Sequence, residues 1–148
     1  MKNKSSKQEH SWAEKVGGNV TIGSGCLWFQ KSDVNAPGWK FELKTTEKKY
    51  YNLKLDDLEF CVKAAYRSHN KPGFVIRFDD ENNDENVVIV PISDCEIEID
   101  LSELKVLLIK NKQIKLKFTE VYNKILLLKS KRKKYLIFPE GFFLENLM

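Results

Sequence analysis

Apolar and polar residues alternate most regularly between Trp39 and Thr46. Trp39, Phe41 and Leu43 fall on one side, Lys40, Glu42 and Lys44 on the other. A period of two over this length predicts a half-buried strand. Just upstream, Lys31-Ser32-Asp33-Val34 runs into Asn35-Ala36-Pro37-Gly38, a turn sequence, so the simplest reading is a hairpin. The period then changes. Leu55, Leu58, Cys61, Val62 and Ala65 recur at helical spacing, with Asp56 and Asp57 in the first turn, which predicts a helix over Leu55–Ser68 ended by Asn70-Lys71-Pro72-Gly73. A shorter helix is expected over Glu9–Val16, stopped by Gly17-Gly18. Phe74–Phe78 and Val87–Ile92 read as two buried strands joined by an acidic loop, and Tyr135–Phe138 as a final strand. Leu101–Ile109 fits a helix or a strand equally, and Ile114–Phe118 alternates with lysines. Helices interspersed with strands define a mixed α/β domain.

The length, 148 residues, suits one compact domain and not two. With 42% hydrophobic and 31% charged residues the chain is too apolar for disorder and too polar for a membrane protein. No apolar run approaches the length of a spanning helix. The expected organisation is a flexible basic arm over residues 1–8, a core over 9–93, and a C-terminal extension over 94–148 packed on the same domain. No apolar segment follows the arm, so no secretory leader is expected. Three widely spaced cysteines, Cys26, Cys61 and Cys95, form no CxxC and argue against a disulfide framework or zinc ribbon, which makes the reducing cytoplasm the expected compartment. A net charge of +4 is compatible with a nucleic-acid partner and does not require one.

The residues that carry chemistry lie on the hairpin. Glu42 and Lys44, at i and i+2 on a strand, share one face. With a turn over Asn35–Gly38, Val34 pairs with Trp39 and Asp33 with Lys40, which leaves Glu42 as the diagonal neighbour of Asp33, roughly 7–8 Å away. Two carboxylates converging from that distance can hold a divalent cation, at about 2.0–2.1 Å per oxygen for magnesium. A lysine beside them can position or help deprotonate a water and balance charge on a phosphate. Two acids and a lysine are the minimum set for metal-assisted phosphodiester hydrolysis. Taken alone, Glu-x-Lys is the common pattern of a solvated strand face and carries almost no signal of chemistry. Gly17-Gly18 and Gly23-Ser24-Gly25 could present backbone amides and a hydroxyl to a phosphate, or serve as a plain helix stop and turn.

The ordered string Glu14-Lys15, Gly17-Gly18, Thr21, Gly23-Ser24-Gly25, Lys31-Ser32-Asp33-Val34, Glu42-Leu43-Lys44-Thr45-Thr46 and Tyr51 resembles the PD-(D/E)XK nuclease superfamily. Within it the string looks most like the Holliday junction resolvase-like endonucleases of phages and archaea. The likeness runs from Glu14 to about Ile92 and departs from the family at Ser32, which stands where glycine is usual, and in the shortness of the Asp33–Glu42 hairpin. The resemblance implies a restriction-endonuclease-like core, a central mixed β-sheet flanked by helices. It implies Asp33 and Glu42 as metal ligands, Lys44 as the catalytic lysine and Glu14 approaching from the first helix. Magnesium would be the cofactor, with manganese as a substitute. The implied partner is branched DNA, cut by a homodimer whose two-fold symmetry matches that of a junction. Lys15, Ser24, Lys31, Lys48, Lys49 and Tyr51 are the expected DNA contacts.

Two alternatives share the fold: a repair or restriction-type endonuclease acting on duplex DNA, and a nucleic-acid-binding module without turnover. Tyr50, Tyr51 and Trp39 could stack on bases or pack in the core. The run Lys129–Lys134 reads as a phosphate-tracking stripe or a solvated loop. His10 and His69 have no spaced partner, and Cys61, on the apolar side of its helix, is a packing residue. The acidic loop Asp79–Glu85 lacks the ligand spacing and glycine of a calcium loop.

Overall fold

The strand read from Trp39 to Thr46 is the third of an eight-stranded mixed sheet in the computed structural model, which describes residues 4–21 and 33–148. The order in the chain is α1 (Lys4–Val16), β1 (Asn19–Thr21), β2 (Asp33–Ala36), β3 (Trp39–Thr46), β4 (Tyr50–Lys54), α2 (Leu55–Arg67), β5 (Lys71–Asp79), β6 (Asp84–Pro91), β7 (Val106–Leu108), β8 (Gln113–Lys117), α3 (Phe118–Val121), β9 (Leu126–Lys129), β10 (Lys134–Pro139) and α4 (Glu140–Asn146). Across the sheet the strands run β1-β2-β3-β5-β6-β10-β9-β7, while β4 and β8 pair as a separate two-stranded ribbon. The β1-β2-β3 meander is antiparallel, β3 and β5 are parallel with α2 in the crossover, and β6 returns antiparallel. A parallel pair cannot be closed by a tight turn, and here the crossover is a helix that covers the sheet.

Alternation along the strands separates two cores. On one face α1 and α4 enclose Trp12, Val34, Trp39, Phe41, Val75, Val88, Phe138 and Phe143. Trp39 stacks on Phe41 with ring centroids 5.6 Å apart, and Phe143 meets Trp39 edge-on at 5.2 Å. On the other face α2, α3 and β8 cover Phe74, Ile76, Phe78, Val87, Ile89 and Ile137 with Leu58, Cys61, Val62, Leu116 and Phe118. Trp39 therefore belongs to the core and does not stack on a ligand.

Three expectations change. Lys4–Gln8 is helical, so no free arm runs to residue 8, because Gln8, Trp12 and Val16 continue one inward stripe at four-residue spacing and all three are buried. Gly17-Gly18 ends α1 by donating to its last carbonyls, Gly17 N–H to Glu14 O and Gly18 N–H to Ala13 O, so neither amide is left for a phosphate. A Cβ on Gly18 would lie 2.1 Å from the Asn35 carbonyl oxygen, so only glycine lets the helix end reach β2. The third change is the hairpin turn, which is two residues rather than four. Pro37 sets the first corner and Gly38, at φ 80°, the second, a type II arrangement, and Ala36 pairs with Trp39.

Residues 94–148 add β10, β9 and β7 beyond β6 and supply β8 to β4. Leu101–Ile109 resolves into a 3₁₀ turn at Leu101–Glu103 and the strand β7. No helix among the described residues is long and apolar enough to cross a membrane.

Candidate active site

The two-residue turn moves the register of the hairpin by two positions from the four-residue expectation. Asp33 lies directly opposite Glu42, Val34 opposite Phe41 and Asn35 opposite Lys40. Directly opposed residues in an antiparallel pair have Cβ atoms about 4.5–5.5 Å apart, against about 7–8 Å for the diagonal. Position 33 and position 42 thus share one face of the sheet, the face α2 covers.

Glu42 is buried, with 9% of its surface exposed, and neighbours Phe74 of β5 in the parallel register. The Lys44 Nζ approaches Glu42 Oε1 to 3.6 Å, and the lysine side chain keeps 31% of its surface open. A carboxylate held this far from water needs a compensating charge, and the lysine two residues along the same face supplies it. Tyr51, on the inner face of β4, completes the surroundings. Its ring lies 6.5 Å from that of Phe74, and burial, with the nearby charges of Asp57 and Glu42, pushes its hydroxyl up to about 12. Tyr51 therefore stays protonated at neutral pH and can donate a hydrogen bond to an anion. That position, half-buried against the core, replaces the expected role in stacking on DNA.

Behind the strand, on the α1 face, the Gln8 side chain donates to the Lys44 carbonyl at 3.0 Å and accepts from the Thr45 hydroxyl. This clamp fixes the backbone of the residue that carries the candidate lysine. The spacing Gln8–Trp12–Val16 was the available signal for it, hidden because Gln8 adjoins a charged start.

Glu14 and Lys15 do not join the cluster. The inner stripe of α1 packs on the Phe41 face, which leaves Glu14 exposed beside Lys7, His10, Gly18 and Asn19 on the opposite side of the sheet. Lys15 is ion-paired with Glu140 of α4 at 2.7 Å. Ser24, Lys31 and the glycine turn around them lie outside the described residues, as does Cys26. Lys48 and Lys49 are exposed in the turn between β3 and β4. Lys129–Lys134 forms the β9–β10 turn, closed by Ser130 N–H to Lys133 O, with β5 and β6 between it and β3, so the basic run does not flank Glu42. Asp80 in the acidic loop accepts from the Asn82 and Asn83 amides, which hold its carboxyl below the usual range.

Glu42 offers carboxylate oxygens of the kind that suit magnesium or manganese, with Lys44 beside it and backbone position 33 directly across the hairpin. Among the described residues no group of three or more His, Cys, Asp and Glu gathers at metal-binding distance. The sequence matches no protein-family profile, and comparison with curated proteins returned no match.

Proposed function

We propose that the protein is a metal-dependent DNA endonuclease of restriction-endonuclease-like architecture that hydrolyses phosphodiester bonds, with branched DNA as substrate. The observation that carries this reading is the β2–β3 register, which sets Asp33 directly across from Glu42 with Lys44 two residues further on the same face. The element order supports it: a helix, an antiparallel hairpin, a crossover helix and a parallel strand, with helices on both sheet faces.

Asp33 and Glu42 would hold the magnesium ion, which supplies Lewis-acid polarisation of the phosphate and a more acidic water. Lys44, with its ammonium partly open to solvent, balances the charge that grows on the phosphate and positions the attacking water. The neutral Tyr51 hydroxyl offers a donor without adding negative charge beside Glu42. Burial of Glu42 keeps its carboxylate in one orientation and strengthens each of these interactions.

Incubation with labelled four-way junction, flap and linear duplex DNA, with and without magnesium, tests the reading. Cleavage of the junction that needs the metal and disappears in Asp33→Asn is expected. A wild-type protein that cuts none of the three substrates in magnesium or manganese overturns it. Cleavage of duplex with no preference for the junction would replace the branched substrate with linear DNA.

A further inference from the structure

The β4–β8 ribbon carries a band of positive charge. The segments 48–54 and 110–117 contain seven lysines, Lys48, Lys49, Lys54, Lys110, Lys112, Lys115 and Lys117, and no carboxylate. All seven are exposed, and none forms an ion pair among the described residues. The pairing explains how segments sixty residues apart come to share this surface. Tyr50 opposes Lys117, Asn52 opposes Lys115 and Lys54 opposes Gln113, so these six form the outer face. Tyr51, Leu53, Ile114 and Leu116 form the inner face against the core. Lys115 Nζ sits 4.0 Å from the centre of the Tyr50 ring and Lys48 Nζ 5.5 Å, which holds two ammonium groups at fixed positions without neutralising them.

The band continues past the ribbon. Lys112, whose carbonyl accepts from the Leu55 amide at the start of α2, also lines a groove of about 660 Å³ with Lys63, Lys131, Arg132 and Lys133, where Glu59 is the single carboxylate. The basic β9–β10 turn therefore joins the ribbon across α2 and not through the Glu42 site.

We propose that this band, the outer face of the β4–β8 ribbon extended through Lys112 to the groove at Lys63 and Arg132, is the surface that holds the phosphate backbone of duplex DNA. DNA as the ligand rests on the nuclease reading; the surface itself rests on the charge and the pairing. Unpaired lysines in rows suit a polyanion with regular charge spacing, and each lysine that meets a phosphate releases a counterion. Asn52 and Gln113 on the same face add neutral donors and acceptors. A two-stranded ribbon also has the width that a DNA major groove admits. β4 leads directly from β3 through residues 47–49 and carries Tyr51 beside Glu42, so a duplex held on the ribbon is held next to the candidate site.

Fluorescence anisotropy with a labelled linear duplex, in EDTA and at several sodium chloride concentrations, tests the band without any cleavage. Lys115→Ala/Lys117→Ala is compared with Lys7→Ala/Lys124→Ala, which removes the same charge from exposed positions elsewhere. Thermal melting checks that both variants fold. The ribbon variant should bind about tenfold more weakly near 0.1 M salt and lose about two from the slope of log affinity against log salt, while the control changes by less than about twofold. Equal weakening in both variants, or an unchanged ribbon variant, overturns the proposal, as does tighter binding to anionic lipid vesicles than to duplex. The two readings fail separately: a protein that cuts no DNA but shows the ribbon effect loses the nuclease reading alone, and one that cuts junctions without the ribbon effect loses this surface alone.

Discussion

On the α1 face of β3, Trp39 and Phe41 are locked among Trp12 and Phe143, whereas on the α2 face the next residues of the same strand, Glu42 and Lys44, form an ion pair beside the half-buried Tyr51. One strand thus serves packing with its odd positions and carries candidate chemistry on its even ones. The difference teaches how a short hairpin can hold charged groups steadily: the aromatic side supplies the rigidity, and the polar side uses it. The Gln8 clamp on the Lys44 carbonyl links the two faces through the backbone.

Separating the faces by substitution gives the sharpest contrast. Glu42→Gln should abolish metal-dependent cleavage while the denaturant midpoint stays near that of the wild type, because the amide keeps the shape and Lys44 can solvate its charge. Lys44→Ala should lower the single-turnover rate by several orders of magnitude, and it should also lower the denaturant midpoint, because it leaves the buried Glu42 carboxylate without its compensating charge. Robust cleavage by either variant in magnesium breaks the assignment of chemistry to this face.

Phe41→Ala should do the reverse. It empties the centre of the aromatic cluster and should cost about 3–5 kcal/mol in urea unfolding, with any loss of cleavage following the loss of folded protein. A loss below about 1 kcal/mol would mean that the α1 face does not carry the stability assigned to it.

Gln8→Ala tests the link between the faces. It removes the buried Gln8 side chain and leaves the part-buried Lys44 carbonyl without its side-chain donor, and should cost about 1–3 kcal/mol in the same unfolding measurement. It should also slow cleavage at saturating DNA without weakening DNA binding. Gln8→Glu, which keeps the acceptor for Thr45 but loses the amide donor, should restore little of either.

The smallest effect is in alkali. Burial raises the Tyr51 and Tyr135 hydroxyls on the α2 face, and the Cys95 thiol against the α1 face, each to about 12. The folded chain therefore keeps protons that the unfolded chain releases from about pH 9 for the thiol and about 10 for the tyrosines. Their contribution is complete below pH 9 and is lost as pH rises toward 12. Melting temperatures recorded at pH 8, 9.5 and 11 should fall in that order. Tyr51→Phe and Tyr135→Phe should each flatten the decline, and a flat wild-type profile would contradict the shifts.

Local pattern made much of this molecule legible. The alternation from Trp39 to Thr46 determined β3 to the residue, and the helical spacing of Leu58, Cys61, Val62 and Ala65 determined α2 to within one residue at its end. Glu42 and Lys44 were bound to share a face, because the strand period is two. The exposure of the charged side of α1 was less legible: Glu14 and Lys15 pattern like site residues, yet an amphipathic helix turns such groups away from the sheet it packs on.

Only the tertiary structure decided the rest. Whether Asp33 faces Lys40 or Glu42 depends on two or four residues in the turn, and Pro37-Gly38 at the corner fits both until the strands pair. The partner of β4 lies sixty residues away in a segment whose lysines alternate with Ile114 and Leu116, and no local preference encodes which strand edge it meets. The sequence by itself determined where strands and helices form and which residues share a face, because those follow from the geometry of one segment. Register, strand order and the gathering of scattered lysines on one ribbon came from the tertiary structure, because they follow from hydrogen bonds and packing between segments that are distant in the chain.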